Sequence, residues 1–264
     1  MLADTHVHVD GLMAGGNDVR AIVDRAVAGG VGRMVAVGGS MAANRTAMGV
    51  ARAFPERIRA AVGYNRDRAA AGDPLGELEA MLAAPEAPAV GEIGLDFQRG
   101  RDTVAAQVGL FRRMLVLARA HRRPVCVHTR DAEPETLAAL QEHAAAWRGP
   151  AGRIGVMHCY TGGEAFARDV LALGFMISFS GILTFKNAGA LRAVAAGVPE
   201  NRLLIETDSP YLAPEPYRGR PNEPAYVRRV AEALAELRHT TWEAIADVTF
   251  ANAAVLFFPG ANAP

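Results

Sequence analysis

Eight short apolar runs rich in Val, Ile, Leu and Ala recur along the chain, near residues 2–8, 33–38, 58–63, 88–93, 123–128, 154–158, 175–180 and 203–207. Their length and flanking turn residues predict strands. Between them, segments such as Asp18 to Ala28, Thr103 to His121 and Glu164 to Leu173 space their apolar residues as a helix does. Strand and helix alternating at about 30 residues per unit predict parallel strands with helical crossovers. Eight such units predict an α/β fold of the (β/α)8 TIM barrel type. An open doubly wound sheet is disfavoured, because no G-x-G-x-x-G turn follows the first run. From Glu223 to Phe258 the pattern predicts two further helices, with Pro221 and Pro224 at the start and Pro259 at the end. Residues 1–264 contain no linker or low-complexity stretch and are expected to form one domain.

Several of the runs close on a polar residue. His6 and His8 end the first, Glu92 the fourth, His128 the fifth, His158 the sixth, and Glu206 and Asp208 the eighth. Residues i and i+2 of a strand share a face, so His6 and His8 can reach one point while Val7 packs the other way. In a barrel the C-terminal strand ends surround one mouth, where active sites of this fold lie. Six imidazole and carboxylate groups converging there would repel or lose solvation unless a cation compensates. The pattern therefore predicts a metal site made by His6, His8, Glu92, His128, His158 and Asp208.

Composition narrows the function. Half of the 264 residues are apolar, enough for a large core, and the formal net charge is zero with no acidic or basic block. Attraction of nucleic acid by the whole surface is thus disfavoured. A local basic rim stays open, since Arg66, Arg68, Arg99, Arg101, Arg218 and Arg220 all fall in loops that follow strands. No apolar run approaches the roughly 20 residues that span a bilayer, and no leader pattern precedes Asp4. The expectation is a soluble, cytoplasmic protein with no membrane contact and no obligate protein partner. Two cysteines, Cys126 and Cys159, make no disulfide framework, and Cys126 reads as a small core thiol. Trp147 and Trp242 lie in helical stretches and read as packing residues.

Four imidazoles and two carboxylates suit two divalent ions, Mg, Mn or Zn, joined by a bridging group. A carboxylated lysine is excluded as the bridge, because the only lysine, Lys186, falls in the loop after the seventh run. Glu92 is therefore read as the bridge. His6, His8 and Asp208 would hold one ion, and His128 and His158 the other. Asp208 would also take the proton of an attacking water, which makes Asp208 and Glu92 the candidate catalytic pair.

At this point the chain resembles the TatD family of metal-dependent deoxyribonucleases, a branch of the amidohydrolase-like barrels. The matching stretches include Asp4-Thr5-His6-Val7-His8-Val9-Asp10, Gly91-Glu92-Ile93-Gly94-Leu95-Asp96-Phe97, Val127-His128-Thr129-Arg130-Asp131-Ala132 and His158-Cys159-Tyr160-Thr161-Gly162. Glu206-Thr207-Asp208-Ser209-Pro210-Tyr211-Leu212-Ala213-Pro214 and Arg220-Pro221-Asn222-Glu223-Pro224 extend the match over nearly the whole length. The resemblance implies that the six ligand-type residues are the family's metal set. One position departs: where the family shows Gly-x-His-Pro, this chain has Gly63-Tyr64-Asn65-Arg66. Asn65 thus replaces a histidine expected near the substrate.

Asp96, Arg130 and Tyr160 lie past the ligand positions and could point inward, with Glu206 and Asp96 equally suited to structural hydrogen bonds. Arg130 matches a phosphate bidentately, or it pairs with Asp131 or Glu133. Asn65, Arg130, Tyr160, Arg218 and Arg220 are the expected substrate contacts. The leading reading is a binuclear hydrolase cleaving phosphodiester bonds of DNA, an exonuclease on single strands. A metal-dependent carbonyl hydrolase, lactonase or deacylase, and a catalytically weak nucleic-acid-binding protein remain as alternatives.

Overall fold

The computed structural model describes residues 1–260. Eight parallel strands, β1 (Leu2–Val7), β2 (Val31–Gly39), β3 (Ile58–Tyr64), β4 (Ala89–Asp96), β5 (Val125–Arg130), β6 (Gly155–Met157), β7 (Met176–Phe179) and β8 (Leu203–Ile205), follow one another in a single sheet in chain order. A parallel bridge between Val7 and Ser209 brings the last strand's exit against the first strand. The expected (β/α)8 barrel is the architecture found.

Two apolar layers hold it. Ala3, Val35, Val37, Ala61, Ala89, Cys126, Val156, Met176 and Leu204 come from all eight strands and fill the barrel's interior. Phe250, Leu256, Phe257 and Phe258, in and just after the helix Trp242–Phe257, join that cluster and plug one end. The intervening residues, such as Leu2, Met34, Ala60, Val90, Val127, Met157, Ile177 and Leu203, pack outward with the helices. This two-sided burial explains why the strands read as nearly continuous apolar runs. Side chains cap several helices as their sequences suggest: Asp18, Ser40 and Thr241 each accept from the backbone N–H three residues on. Among the described residues, no helix is long and apolar enough to cross a membrane.

Simple alternation breaks within β1 and β4 in a way that serves the mouth. In β1, Ala3 faces inward and Val7 outward, although both are odd-numbered. The pairing with β2 shifts register between Asp4 and Val7. Thr5 reaches Ser178 Oγ and Ile205 O, while the next residue, His6, meets Cys126 of the interior. In β4 the pairing with β5 shifts between Val90 and Ile93, and both of these residues face outward. Gly91 is packed so closely on Cys126 that a Cβ there would strike it, and Glu92 follows inward. An extra residue in a strand reverses the facing of everything beyond it. These shifts turn His6 and Glu92 toward the centre.

Candidate metal centre

Six side chains meet at the C-terminal mouth in two groups. His6, His8 and Asp208 form one, and Glu92, His128 and His158 the other, each with its ligand-type atoms mutually close enough for one ion; His6, His158 and Glu206 make a third trio of the same kind that overlaps both. In the first, the Nε2 atoms of His6 and His8 stand 3.3 Å apart, with Asp208 Oδ1 at 3.8 Å and 3.3 Å from them. In the second, His128 Nδ1 and His158 Nε2 are 3.2 Å apart and lie 3.3 Å and 3.6 Å from Glu92 Oε1. The other oxygen of Glu92, Oε2, is 3.8 Å from His8 Nε2, so this carboxylate faces both groups.

The donor set fits divalent cations. Imidazole nitrogens aimed at one another are unfavourable alone, and Asp208 Oδ1 is buried without a hydrogen-bond partner among the described residues. Nitrogen and carboxylate donors together suit first-row transition metals and Mg or Mn. Three of the nitrogens turned away from the convergence point face a partner, two within hydrogen-bonding distance and His128 Nε2 only as an ion-pair contact. His158 Nδ1 lies 3.2 Å from Glu206 Oε1, His128 Nε2 3.4 Å from Asp96 Oδ2, and His6 Nδ1 3.3 Å from Cys126 Sγ. Such partners orient the rings and select the tautomer that offers a lone pair inward. Glu206 and Asp96 therefore act on histidines, and Cys126 is both a core thiol and a neighbour of His6.

Charges in this cluster are strongly displaced. Burial disfavours the anion of Glu92, yet hydrogen bonding to His158 and the nearby His128, His158 and His8 hold it well below the carboxylate range. Burial opposes protonation of His158, but hydrogen bonds to Glu206 and Glu92 outweigh it and push the imidazole up to about 10. His6 moves the other way, depressed by burial and by His158 and His8 beside it. Burial also keeps His128 below its usual value despite Asp96, while Asp96 is drawn down to about 2 against its own burial by His128 and the Arg99 N–H.

Backbone geometry delivers Asp208. Its φ of 58° lies in the left-handed region, where Asp is among the better-tolerated residues. The loop after β8 is stitched to β1 by Asp208 N donating to His6 O at 3.0 Å and His8 N donating to Ser209 O at 2.9 Å. Asp4 braces the same seam, accepting from Thr207 N at 2.9 Å and contacting Thr207 Oγ1 at 2.6 Å. Burial raises the Asp4 carboxyl to about 8 in spite of these bonds. Gly94, at φ 128°, lies so close to His128 O that any Cβ would collide with it.

The two groups floor a cleft of about 760 Å³. Asn65, Arg66, Arg68, Arg99, Arg130, Asp10 and Tyr211 are among its walls. Asn65 is at the cleft, but its Oδ1 accepts from Asp67 N at 3.1 Å and so shapes the turn that follows. Arg130 lines the wall with a guanidinium nitrogen 3.6 Å from Asp96 Oδ2, its partner in place of Asp131 or Glu133.

Three expected substrate contacts lie away from the lining of this cleft. Tyr160 is buried against Phe166 and Phe179, and its hydroxyl donates to Gly163 O at 2.7 Å, so it braces a loop beneath the cleft wall. Arg218 stacks on Phe185, 3.6 Å from the ring centroid, and neither it nor Arg220 lines the cleft. The chain from Pro214 to Arg220 turns back on itself, with Tyr217 N bonding Pro214 O and Arg220 N bonding Tyr217 O. Conversely, Arg66, read only as part of a rim, donates to Glu92 Oε1 at 3.1 Å. Tyr211 was also missed, although it is exposed at the mouth with its ring edge-on to His8 at 5.7 Å. Its position beside Asp208 in the motif was the available signal.

A family model described as TatD related DNase matches residues 3–258. The chain belongs to the TatD family. A relative in Bacillus subtilis (strain 168), the uncharacterized metal-dependent hydrolase YabD, is 37% identical over 259 residues, covering 97% of this chain and 99% of its own length. The 3′-5′ ssDNA/RNA exonuclease TatD of Edwardsiella piscicida is 33% identical over 253 residues, 91% of this chain and 93% of its own. The crystal structure of YJJV, a TatD homologue from Escherichia coli K12, matches with a TM-score of 0.88 at 29% identity, covering 97% of this chain and 98% of that one. The protein is thus a metal-dependent hydrolase of the TatD family, and its donor clusters are candidates to hold the metal.

Proposed function

We propose that this hydrolase cleaves phosphodiester bonds of DNA, trimming single strands from an end, with two divalent ions of Mg, Mn or Zn. The observation that carries the reading is the pair of donor groups sharing Glu92 at the floor of a cleft walled by Arg66, Arg99 and Arg130. His6, His8 and Asp208 would hold one ion and His128 and His158 the second, with Glu92 placed to serve either. Divalent ions bound there would supply charge neutralisation for the phosphoryl oxygens and a more acidic water. Asp208 accepts the proton of that water at its carboxylate. Arg130 offers a guanidinium fork to phosphate oxygens, and Asn65 holds the turn that carries Arg66. Tyr211 gives an exposed ring on which a terminal base can stack. The relative named a 3′-5′ ssDNA/RNA exonuclease supports the choice of single strands attacked from an end.

A decisive experiment incubates the protein and Mg, Mn or Zn with end-labelled single-stranded and duplex DNA, beside a panel of lactones and acyl esters. Stepwise shortening of the single strand, with the panel inert, is the expected result. Turnover of the panel with intact DNA would make it a carbonyl hydrolase. Retarded but uncut DNA would make it a binder.

A further inference from the structure

Arg66 brings a full positive charge into the centre at a position where the family pattern has proline. It leaves the end of β3 through the short turn Arg66–Arg68 that Asn65 caps. Its NH1 donates to Glu92 Oε1 at 3.1 Å, and its Nε lies 3.6 Å from Asp96 Oδ2. That Nε is buried and has no hydrogen-bond partner among the described residues, and the side chain is only 13% exposed. Arg68, by contrast, is committed to Asp73 through two hydrogen bonds of 2.6 Å and 2.7 Å.

The oxygen that Arg66 occupies is the one that His128 and His158 face. A guanidinium and a divalent ion at the same carboxylate oxygen repel each other, so each weakens the other's hold on Glu92. A guanidinium released from Glu92, with its Nε–H already unused, presents the two parallel donors that match phosphate oxygens. Arg66 also lines the cleft wall directly above the two groups.

We propose that Arg66 is a shared cation: it neutralises Glu92 while the Glu92, His128 and His158 group lacks an ion, and turns to the substrate phosphate once that group is filled. The proposal rests on the reading that the substrate carries a phosphodiester. Its consequence is reciprocal. Phosphate in the cleft draws Arg66 off Glu92 and tightens the ion, and the ion tightens phosphate by the same factor.

The test uses Mn²⁺ and inorganic phosphate as probes, measured by calorimetry and by the spin-resonance signal of free Mn²⁺. Wild type should show two Mn²⁺ affinities, the weaker one tightened by phosphate. Arg66→Met should tighten that weaker affinity about tenfold, leave the stronger one unchanged, and weaken phosphate binding to the Mn²⁺-saturated protein about tenfold. Arg66→Gln removes the charge while keeping a hydrogen-bonding tip, and should shift both quantities the same way if the methionine variant does not fold. A single class of Mn²⁺ site, an unchanged or weakened Mn²⁺ affinity in both variants, or undiminished phosphate binding overturns the proposal. Neither readout involves DNA, so phosphate-coupled Mn²⁺ binding without DNA cleavage would retire the nuclease reading alone.

Discussion

At the scale of single residues, Glu92 and Asp208 differ in what they hold. Glu92 faces both donor groups, so Glu92→Gln should lower occupancy of two ions together in elemental analysis of the purified protein. One ion retained at wild-type occupancy would deny it the bridging role. Asp208 touches only the His6 and His8 side, and under the proposed function it accepts the water's proton in the chemical step. Asp208→Asn should therefore cut kcat by about a hundredfold or more with little change in KM. Near-normal kcat in the same metal buffer would exclude it. Asn65 acts through its neighbour: its side chain caps the turn carrying Arg66. Asn65→Ala should reduce kcat/KM in wild type and have almost no effect in an Arg66→Met background, a coupling that a double-mutant cycle reads directly. Additive effects would place Asn65 on the substrate itself.

At the scale of elements, the two register shifts show how a strand serves core and site at once. The lower parts of β1 and β4 supply Ala3 and Ala89 to the interior, and the extra residue beyond them re-aims His6 and Glu92. A different device steadies the helix Glu133–Ala145. Its His143 is fully buried, its Nδ1 3.3 Å from Arg119 NH1, and burial together with that guanidinium lowers the imidazole to about 4. In the unfolded chain the same ring binds a proton near pH 6.5, so between those values the unfolded state holds more protons. Stability from this group is complete above pH 6.5 and is lost as pH falls toward 4, by on the order of 3 kcal/mol. The melting temperature of wild type should drop more between pH 7.5 and pH 5 than that of His143→Gln. Equal drops would remove His143 from the acid response.

For the whole molecule, zero net charge means that any pull on a polyanion must be local. The cleft-lining arginines supply such a field, whereas Arg218 is spent on Phe185. Single-strand binding should weaken as salt rises, and replacing Arg99 and Arg130 by alanine should flatten the log–log slope by about 0.7 for each lost phosphate contact. Replacing Arg218 and Arg220 should leave that slope as it is. The opposite ranking, read from anisotropy titrations across a salt series, would move the nucleic-acid path to the loop after β8.

Local chemistry written along the chain was enough for the barrel and for the type of centre. Strands buried on both faces produce apolar runs wherever they fall, and a ligand must stand where such a run ends, so His6, His8, Glu92, His128, His158 and Asp208 stand out without coordinates. Facing and partnership depend on residues far away in the chain. The shifts that turn His6 and Glu92 inward arise from pairing with β2 and β5, and no spacing within β1 or β4 announces them. Tyr160 sits two residues past a ligand histidine, as a substrate contact would, yet Phe166 and Phe179 enclose it. Arg66 looks like one more loop arginine until the fold sets β3 beside β4, and then it lies against Glu92, 26 residues on. Periodicity and residue type act over a few neighbours and are legible in one dimension; which charge meets which is decided only when closure of the barrel brings the strand ends together.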